Sequence, residues 1–93
     1  MSQSHVVVLD TETTGLDQSR DRVIEIGAIK LLDGRPVSKF HAYLNPQGVE
    51  SHPDALAVHG IANDFLIDQP TFEDIHAVFL EFVAGSDLVI HNA

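Results

Sequence analysis

The chain has 93 residues, which is room for one small domain, and no Cys, which excludes disulfide frameworks, thiolate zinc sites and cysteine nucleophiles. Its 44% hydrophobic and 20% charged residues are typical of a globular protein rather than a disordered one. Five Lys and Arg against 14 Asp and Glu give a net charge of -9, which excludes a protein that binds a phosphate backbone mainly with its own cations.

Three apolar runs in the first half of the chain predict an antiparallel sheet. His5 to Thr11 contains consecutive aliphatic residues, which predicts a central strand with both faces covered. Val23 to Leu32 and Val37 to Leu44 follow as the second and third strands. Asp33-Gly34 between them predicts a tight hairpin turn, because both residues tolerate a positive φ.

Two helices and a fourth strand follow in the second half. Pro53 begins a short helix that Gly60 ends. Thr71 caps a longer helix that ends at Gly85. The apolar residues of this helix have helical spacing and predict one core-packing face: Phe72, Ile75, Val78, Phe79, Phe82 and Val83. Leu88 to Ile90 form the last strand, so the fold class is α/β, with a mixed sheet covered by helices.

This arrangement leaves part of the apolar surface of the sheet uncovered, because one long helix does not cover four strands. We therefore expect the chain to be the front part of a larger domain, or to be covered by a partner chain. Residues 1–5 carry no Lys or Arg and no signal-peptide pattern, and no aliphatic run is long enough to cross a bilayer. These features predict a cytoplasmic protein that does not enter a membrane.

Two acidic residues at the end of the first strand are the main candidates for chemistry. Asp10 and Glu12 are two positions apart, so in a strand their side chains project from the same face. Neighbouring carboxylates repel each other, and their oxygens suit a hard divalent cation such as Mg²⁺ or Mn²⁺. The Thr13-Thr14-Gly15 segment that follows offers hydroxyls and backbone N–H groups to a phosphorylated substrate. An isolated D-x-E also fits solvated acids at an exposed strand end.

Other polar residues receive structural interpretations. Glu25 is interpreted as a hydrogen-bond acceptor near the Thr-rich loop rather than as a metal ligand. Four of the six histidines are interpreted as surface or strand-edge residues: His5, His41, His52 and His76. His52 and His59 do not predict a zinc site, since no third ligand accompanies them.

Five blocks, in order along the chain, resemble the DnaQ-like 3′→5′ exonucleases, a family with four catalytic acids and a catalytic His. The blocks are VLDTETTGL at residues 8–16, VIEIGA at 23–28, FHAYLNP at 40–46, VHGI at 58–61 and LVIHNA at 88–93. Shorter matches at residues 64–66 and 68–72 extend the resemblance over nearly the whole chain. The resemblance implies a ribonuclease H-like exonuclease fold, with three antiparallel strands first and a parallel strand after a helix.

The same resemblance implies that residues 1–93 are the N-terminal part of a single exonuclease domain. The first motif is complete, the second stops after His91-Asn92-Ala93, and the third is missing. The general-base His and two further metal-binding Asp belong to the missing parts. We therefore expect the fold to be incomplete at the C-terminus and the chain alone to lack exonuclease activity.

The implied reaction is phosphodiester hydrolysis assisted by two divalent metal ions, Mg²⁺ or Mn²⁺. Asp10 would bridge both ions and Glu12 would bind the ion that carries the attacking water. The residues implied to contact the substrate are Thr11, Thr13, Leu16, His59 and Gly60. His91 and Asn92 are candidates for contacting the metal ligands or the substrate, and a purely structural role for His91 stays open.

The implied substrate is a single-stranded or frayed DNA 3′ end, in proofreading for a replicative polymerase. The implied partners are the polymerase catalytic subunit and a small accessory subunit. Two alternatives stay open: an RNA-directed relative of the oligoribonuclease or tRNA-trimming type, and a non-catalytic fragment that binds a metal ion or a partner. Reaction at a frayed end suits an acidic protein, because bound metal ions carry the positive charge and little duplex is contacted.

Overall fold

The structure is a computed structural model that describes residues 5–91. Its strands are β1 (His5–Thr13), β2 (Val23–Leu32), β3 (Arg35–Tyr43) and β4 (Asp87–His91). They form one sheet in the spatial order β3–β2–β1–β4. β2 pairs antiparallel with both β1 and β3, and β4 pairs parallel with β1. The predicted mixed sheet is therefore confirmed.

The hairpin between β2 and β3 contains an irregularity that decides which side chains share a face. Asp33 and Gly34 have φ values of 50° and 82°, as the predicted tight turn requires. Between Leu31 and Lys30 the pairing shifts by one residue. Leu31 pairs with Pro36, but Lys30 pairs with Ser38 rather than with Val37. Because side chains alternate between faces, this bulge exchanges the faces of all later β3 residues.

Three helices lie between β3 and β4: α1 (Pro53–His59), α2 (Asn63–Leu66) and α3 (Phe72–Val83). Gly60 ends α1 in the left-handed conformation, and its N–H donates to the carbonyl of Leu56. Thr71 and Asp74 form a reciprocal capping box at the start of α3. The sequence does not predict α2, which has four residues and no side-chain cap.

The core lies between the sheet and α3. It contains Val7, Leu9, Ile26, Ala28 and Leu44, with Ile75, Phe79, Phe82 and Val83 of α3 packed against it. Phe40 of β3 stacks at an angle against two of these rings, at centroid distances of 5.5 and 5.7 Å. Each of these strand residues is on the same side of the sheet, which we call the α3 face.

Two details of the predicted packing are wrong. Phe72 and Val78 were expected in the core-packing stripe of the long helix, but they are 48% and 60% exposed. They lie at the edges of the stripe: the ring of Phe72 is 6.3 Å from that of Phe79, and Val78 borders an open pocket beside β3. β1 is an inner strand, yet only Val7 and Leu9 on its α3 face are buried, while Val6 and Val8 on the other face are half-buried.

The predicted uncovered apolar surface is present in the part of the chain that the structure describes. All five residues of β4 are exposed, including Leu88, Val89 and Ile90.

The longest of the described helices, α3, has 12 residues. None of the described helices has both the length and the apolar character that crossing a membrane requires.

Candidate functional site

Two rows of side chains cross the sheet on the side opposite the α3 face, which we call the acid face. The strand pairing aligns His91, Asp10, Gly27 and His41 in the first row, from β4 to β3. The second row contains Glu12, Glu25 and Tyr43. Residues paired in this way project from the same face, so three carboxylates and two imidazoles share one surface.

Asp10 and Glu12 lie on the same face, as their spacing predicts. β1 continues through both residues, because its pairing with β2 holds as far as a bulge between Glu12 and Thr13. The Asp10 side chain is 50% exposed, and among the described residues its only ion-pair neighbour is the His91 Nδ1, 4.0 Å from Oδ2. Within residues 5–91, Glu12 forms no ion pair. Neither carboxylate is therefore neutralised by an Arg or a Lys.

A small cavity of about 130 Å³ opens between these acids, lined by Asp10, Thr11, Glu12, Glu25 and Gly27. Gly27 stands opposite Asp10, so the floor of the cavity is backbone rather than a side chain. A Cβ at Gly27 would meet only the Asp10 carbonyl oxygen, at 3.9 Å. One water occupies roughly 30 Å³, so the cavity has room for a hydrated cation.

The donor atoms of this cavity fit a hard divalent cation. Asp10 and Glu12 offer carboxylate oxygens, and Mg²⁺ is typically bound by one or two carboxylates while keeping several waters. Among the described residues, no group of three His, Cys, Asp or Glu side chains is arranged to hold a metal ion. The described residues therefore form no closed coordination shell, and metal binding by Asp10 and Glu12 stays a prediction.

Glu25 lines the same cavity, but its carboxylate is engaged with another side chain. Its Oε2 accepts a hydrogen bond from the His41 Nε2, at 2.6 Å. The interpretation of Glu25 as a hydrogen-bond acceptor is confirmed, although its partner is on β3 and not in the Thr-rich loop. His41 packs edge-on against Tyr43, and Tyr43 against Phe65 of α2, with ring centroids 4.8 and 4.9 Å apart.

The loop of residues 14–22 after β1 is organised around Asp21. Thr14 is buried; its Oγ1 donates to Asp21 Oδ1 at 2.8 Å and accepts from the Arg22 N–H at 3.0 Å. Hydrogen bonds from the Asp17 N–H and the Thr14 hydroxyl lower the pKa of Asp21, with a smaller contribution from the Arg20 guanidinium. A Cβ at Gly15 would collide with the Asp21 carboxylate, which explains the Gly at this position.

A second carboxylate stabilises the outer part of this loop. Asp17 accepts hydrogen bonds from the Ser19 hydroxyl and N–H, at 2.7 and 3.0 Å, and these bonds lower its pKa. Beside it, Leu16 is 99% exposed, although it is a large apolar residue. The loop therefore presents one aliphatic side chain to solvent from a hydrogen-bonded frame.

The segment around α1 is joined to this loop. The His52 N–H donates to the Thr14 carbonyl at 2.6 Å. At the other end of α1, the His59 Nδ1 accepts from the Ile61 N–H at 2.9 Å, so a neutral ring carries its proton on Nε2, which lies 3.3 Å from the Ser51 Oγ. Both nitrogens of His59 are thus engaged within the segment.

The structure gathers most of the predicted site residues in one region. Asp10, Thr11 and Glu12 line the cavity, His91 is beside Asp10, and Leu16 projects from the adjoining loop. The Thr13 Oγ1 donates to the Gly15 carbonyl at 2.7 Å, and Thr13 is not among the residues that line the cavity, so its contact with substrate stays a prediction. His59 and Gly60 are on the joined α1 segment, and their contact with substrate stays a prediction. Asn92 lies outside the described residues.

Sequence reasoning missed the contributions of Gly27, His41 and Asp21. The pairing register places Gly27 and His41, and that register depends on the hairpin bulge. Asp21 is separated from Thr14 by most of a polar loop, and no local pattern indicates their hydrogen bond. The one available signal was the Gly in VIEIGA, since a Gly within a strand often marks a close approach.

Comparison with known proteins gives a consistent result. A family profile described as Exonuclease (RNase_T) matches residues 7–93. DNA polymerase III subunit epsilon of Salmonella typhimurium strain LT2 is 45% identical over 93 residues, which is 94% of this chain and 38% of that protein. The chain spans about two-fifths of the length of the curated relatives it matches.

Solved structures agree with the fold. Exonuclease X in complex with 5′ overhanging duplex DNA has a TM-score of 0.71 and 28% identity, covering 92% of this chain and 48% of that one. A product-bound exonuclease I has a TM-score of 0.81 at 19% identity, covering 98% of this chain and 22% of that one. The second likeness establishes the ribonuclease H-like exonuclease fold alone.

Proposed function

The chain belongs to the RNase_T exonuclease family, and from this premise we propose that it carries the first two metal ligands of a 3′→5′ exonuclease acting on DNA ends. The observation that carries the proposal is the pair Asp10 and Glu12, side by side and free of Arg and Lys, above a cavity with a backbone floor. Each carboxylate disfavours the ionisation of the other, and a bound cation would offset this repulsion.

We propose further that residues 1–93 are the N-terminal part of one exonuclease domain. Two observations support this: the chain spans about two-fifths of its curated relatives, and β4 and the outer side of α3 expose apolar side chains. A complete domain would cover this surface and would supply the general-base His and the remaining Asp ligands.

In this proposal the carboxylate oxygens of Asp10 and Glu12 would hold divalent ions, Mg²⁺ or Mn²⁺. Such ions, when bound, lower the pKa of water and stabilise the charge on the leaving oxygen. Thr11 lines the cavity and Thr13 ends β1, and both hold the terminal nucleotide through backbone groups. Leu16, which is fully exposed, packs against the terminal base.

His59 and Gly60 complete the proposed substrate contacts at the terminal sugar. Their segment is tied to the site by the hydrogen bond from His52 to Thr14. Because both His59 ring nitrogens are engaged, the contact from this residue uses the ring face or the adjacent backbone. His91, 4.0 Å from Asp10, orients that carboxylate from the side of β4.

The proposed substrate is a single-stranded or frayed DNA 3′ end. With a net charge of -9, the chain repels a long polyanion, so it contacts little more than the terminus. The matched relatives are named as DNA polymerase III subunits, which supports a polymerase as partner. The partners that we propose are its catalytic subunit and a small accessory subunit. Partners of this kind imply a cytoplasmic location.

The metal site is tested on the chain itself. We expect Mn²⁺ to bind, measured by the electron paramagnetic resonance signal of the free ion, and Asp10→Asn or Glu12→Gln to weaken binding at least about tenfold. Glu81→Gln on the exposed side of α3 is the matched control and leaves the affinity unchanged. Equal affinities in all four proteins would sink the proposed site.

The activity is tested on the longer protein that carries this chain. We expect Mg²⁺-dependent release of single nucleotides from the 3′ end of single-stranded DNA, and its loss in Asp10→Asn. A matched RNA oligonucleotide separates this function from the RNA-directed alternative. Faster release from RNA than from DNA would assign the protein to that alternative. The 93-residue chain alone is expected to release nothing, because it lacks the general base.

A further inference from the structure

A third carboxylate lines the proposed metal cavity, and a hydrogen bond to a side chain of a neighbouring strand engages it. Glu25 lines the cavity together with Asp10 and Glu12, and the strand pairing sets it directly opposite Glu12. Side chains in this relation are about 5 Å apart at their Cβ atoms, which is within the reach of two Glu side chains. Released, Glu25 is close enough to become a third oxygen ligand.

The hydrogen bond from His41 turns Glu25 in the other direction. The His41 Nε2 lies 2.6 Å from the Glu25 Oε2 and is on β3, on the side of β2 away from β1. Gly27 stands opposite His41, so no side chain separates the two partners along this diagonal. The ring of Tyr43 packs against His41 and fixes it in place.

The backbone itself is built to bring His41 to this face. The pairing shift beyond Leu31 exchanges the faces of the later β3 residues. In a regular hairpin, Gly27 would be opposite Phe40, and His41 would point into the core. The bulge therefore has two effects. It places Phe40 against the core, and it brings the His41 imidazole to Glu25.

We propose that His41 is a positioning residue that holds the Glu25 carboxylate away from the cation, so that Asp10 and Glu12 remain the carboxylates that bind it. The inference rests on the proposed function, since it takes this cavity as a cation site. Cation affinity in oxygen sites rises with the number of charged ligands. His41 thus keeps the affinity low enough for the ions to exchange, and it reserves coordination positions for water and substrate oxygens.

The test removes the donor while keeping an aromatic ring. His41→Phe retains the packing against Tyr43 but cannot donate to Glu25, and we expect it to bind Mn²⁺ about tenfold more tightly than the natural chain. His41→Gln keeps an N–H donor and restores the natural affinity. Glu25→Gln alone stays within about twofold of the natural chain, and combined with His41→Phe it cancels the gain.

The results distinguish a failure of the inference about His41 from a failure of the proposed function. Unchanged or weaker Mn²⁺ binding in folded His41→Phe overturns the inference, and so does tenfold weaker binding in Glu25→Gln, which would make Glu25 a ligand already. Asp10→Asn distinguishes the two proposals: when its loss of binding is observed and His41→Phe has no effect, only the inference fails. When the natural chain shows no binding that depends on Asp10, the proposed function and the inference fail together. Circular dichroism verifies that each variant is folded.

Discussion

Neighbouring residues of β2 lie on opposite faces of the sheet. One face packs in the core, and the other carries the acidic residues. Ile26 is 3% exposed in the core beneath α3, whereas Glu25, one residue earlier, lines the cavity on the acid face. The α3 face stabilises the fold through packed aliphatic and aromatic side chains. The acid face holds three carboxylates whose mutual repulsion opposes folding. Because side chains alternate along a strand, β2 separates the residues that stabilise the fold from those that line the proposed site.

The two faces also differ in the elements that border them. The α3 face is closed by a helix whose start is fixed by the Thr71–Asp74 capping box. The acid face is bordered by the loop of residues 14–22, whose hydrogen bonds converge on Asp21. Substitutions on one face should therefore leave the properties of the other unchanged.

The largest expected effect is a loss of core volume on the α3 face. Ile26→Ala should lower the free energy of unfolding by about 2–5 kcal/mol, because it removes buried carbon atoms and leaves a cavity. Glu25→Gln, the adjacent residue on the acid face, should change it by less than about 1 kcal/mol, since its pair with His41 is partly exposed. Urea unfolding measures both. Equal losses would show that the two faces are not separate.

A smaller effect is expected at the border of the α3 face. Thr71→Ala removes the acceptor for the Asp74 N–H and should lower the free energy of unfolding by about 1 kcal/mol. Thr71→Ser keeps the hydroxyl and serves as the control. Thermal melting measures the loss, and Mn²⁺ affinity should be the same in all three chains. A Ser variant as unstable as the Ala variant would contradict the capping role.

On the acid face we expect a substitution that keeps the stability of the chain but weakens metal binding. Gly27→Ala adds a Cβ that meets only the Asp10 carbonyl, and the backbone there has no positive φ, so stability should stay constant or rise by up to about 1 kcal/mol. The same methyl group occupies the cavity and should weaken Mn²⁺ binding. The prediction fails if metal binding survives intact or if the chain loses stability.

The smallest expected effect is a local opening of the loop in acid. The pKa values of Asp17 and Asp21 are lowered in the folded chain, so their hydrogen bonds stabilise the loop above about pH 4 and this stabilisation is lost as the pH falls through the lowered values. Chemical shifts of the Gly15 and Leu16 amides should then change while core resonances stay constant. Asp21→Asn should show the open-loop shifts already at neutral pH. Unchanged shifts down to pH 2 would contradict this account.

The sequence predicted the elements that depend on local pattern. The hairpin turn at Asp33-Gly34, the limits of α1 and the cap of α3 follow from backbone preferences of single residues. The shared face of Asp10 and Glu12 follows from alternation within one strand. The family follows from motifs that keep their order along the chain, and the profile match confirms it.

The tertiary structure decided which residues of different elements meet. The pairing of β1 with β2 set Gly27 opposite Asp10, and the bulge in β3 set His41 beside Glu25. Neither contact is encoded in a local pattern, because the strand register depends on the packing of whole faces and on one irregular residue. Helical spacing likewise does not fix how much of a helix face the sheet covers, and Val78 is 60% exposed. Local sequence thus determined the elements and the face of each side chain within them, and the register of the folded sheet determined which side chains of different strands meet.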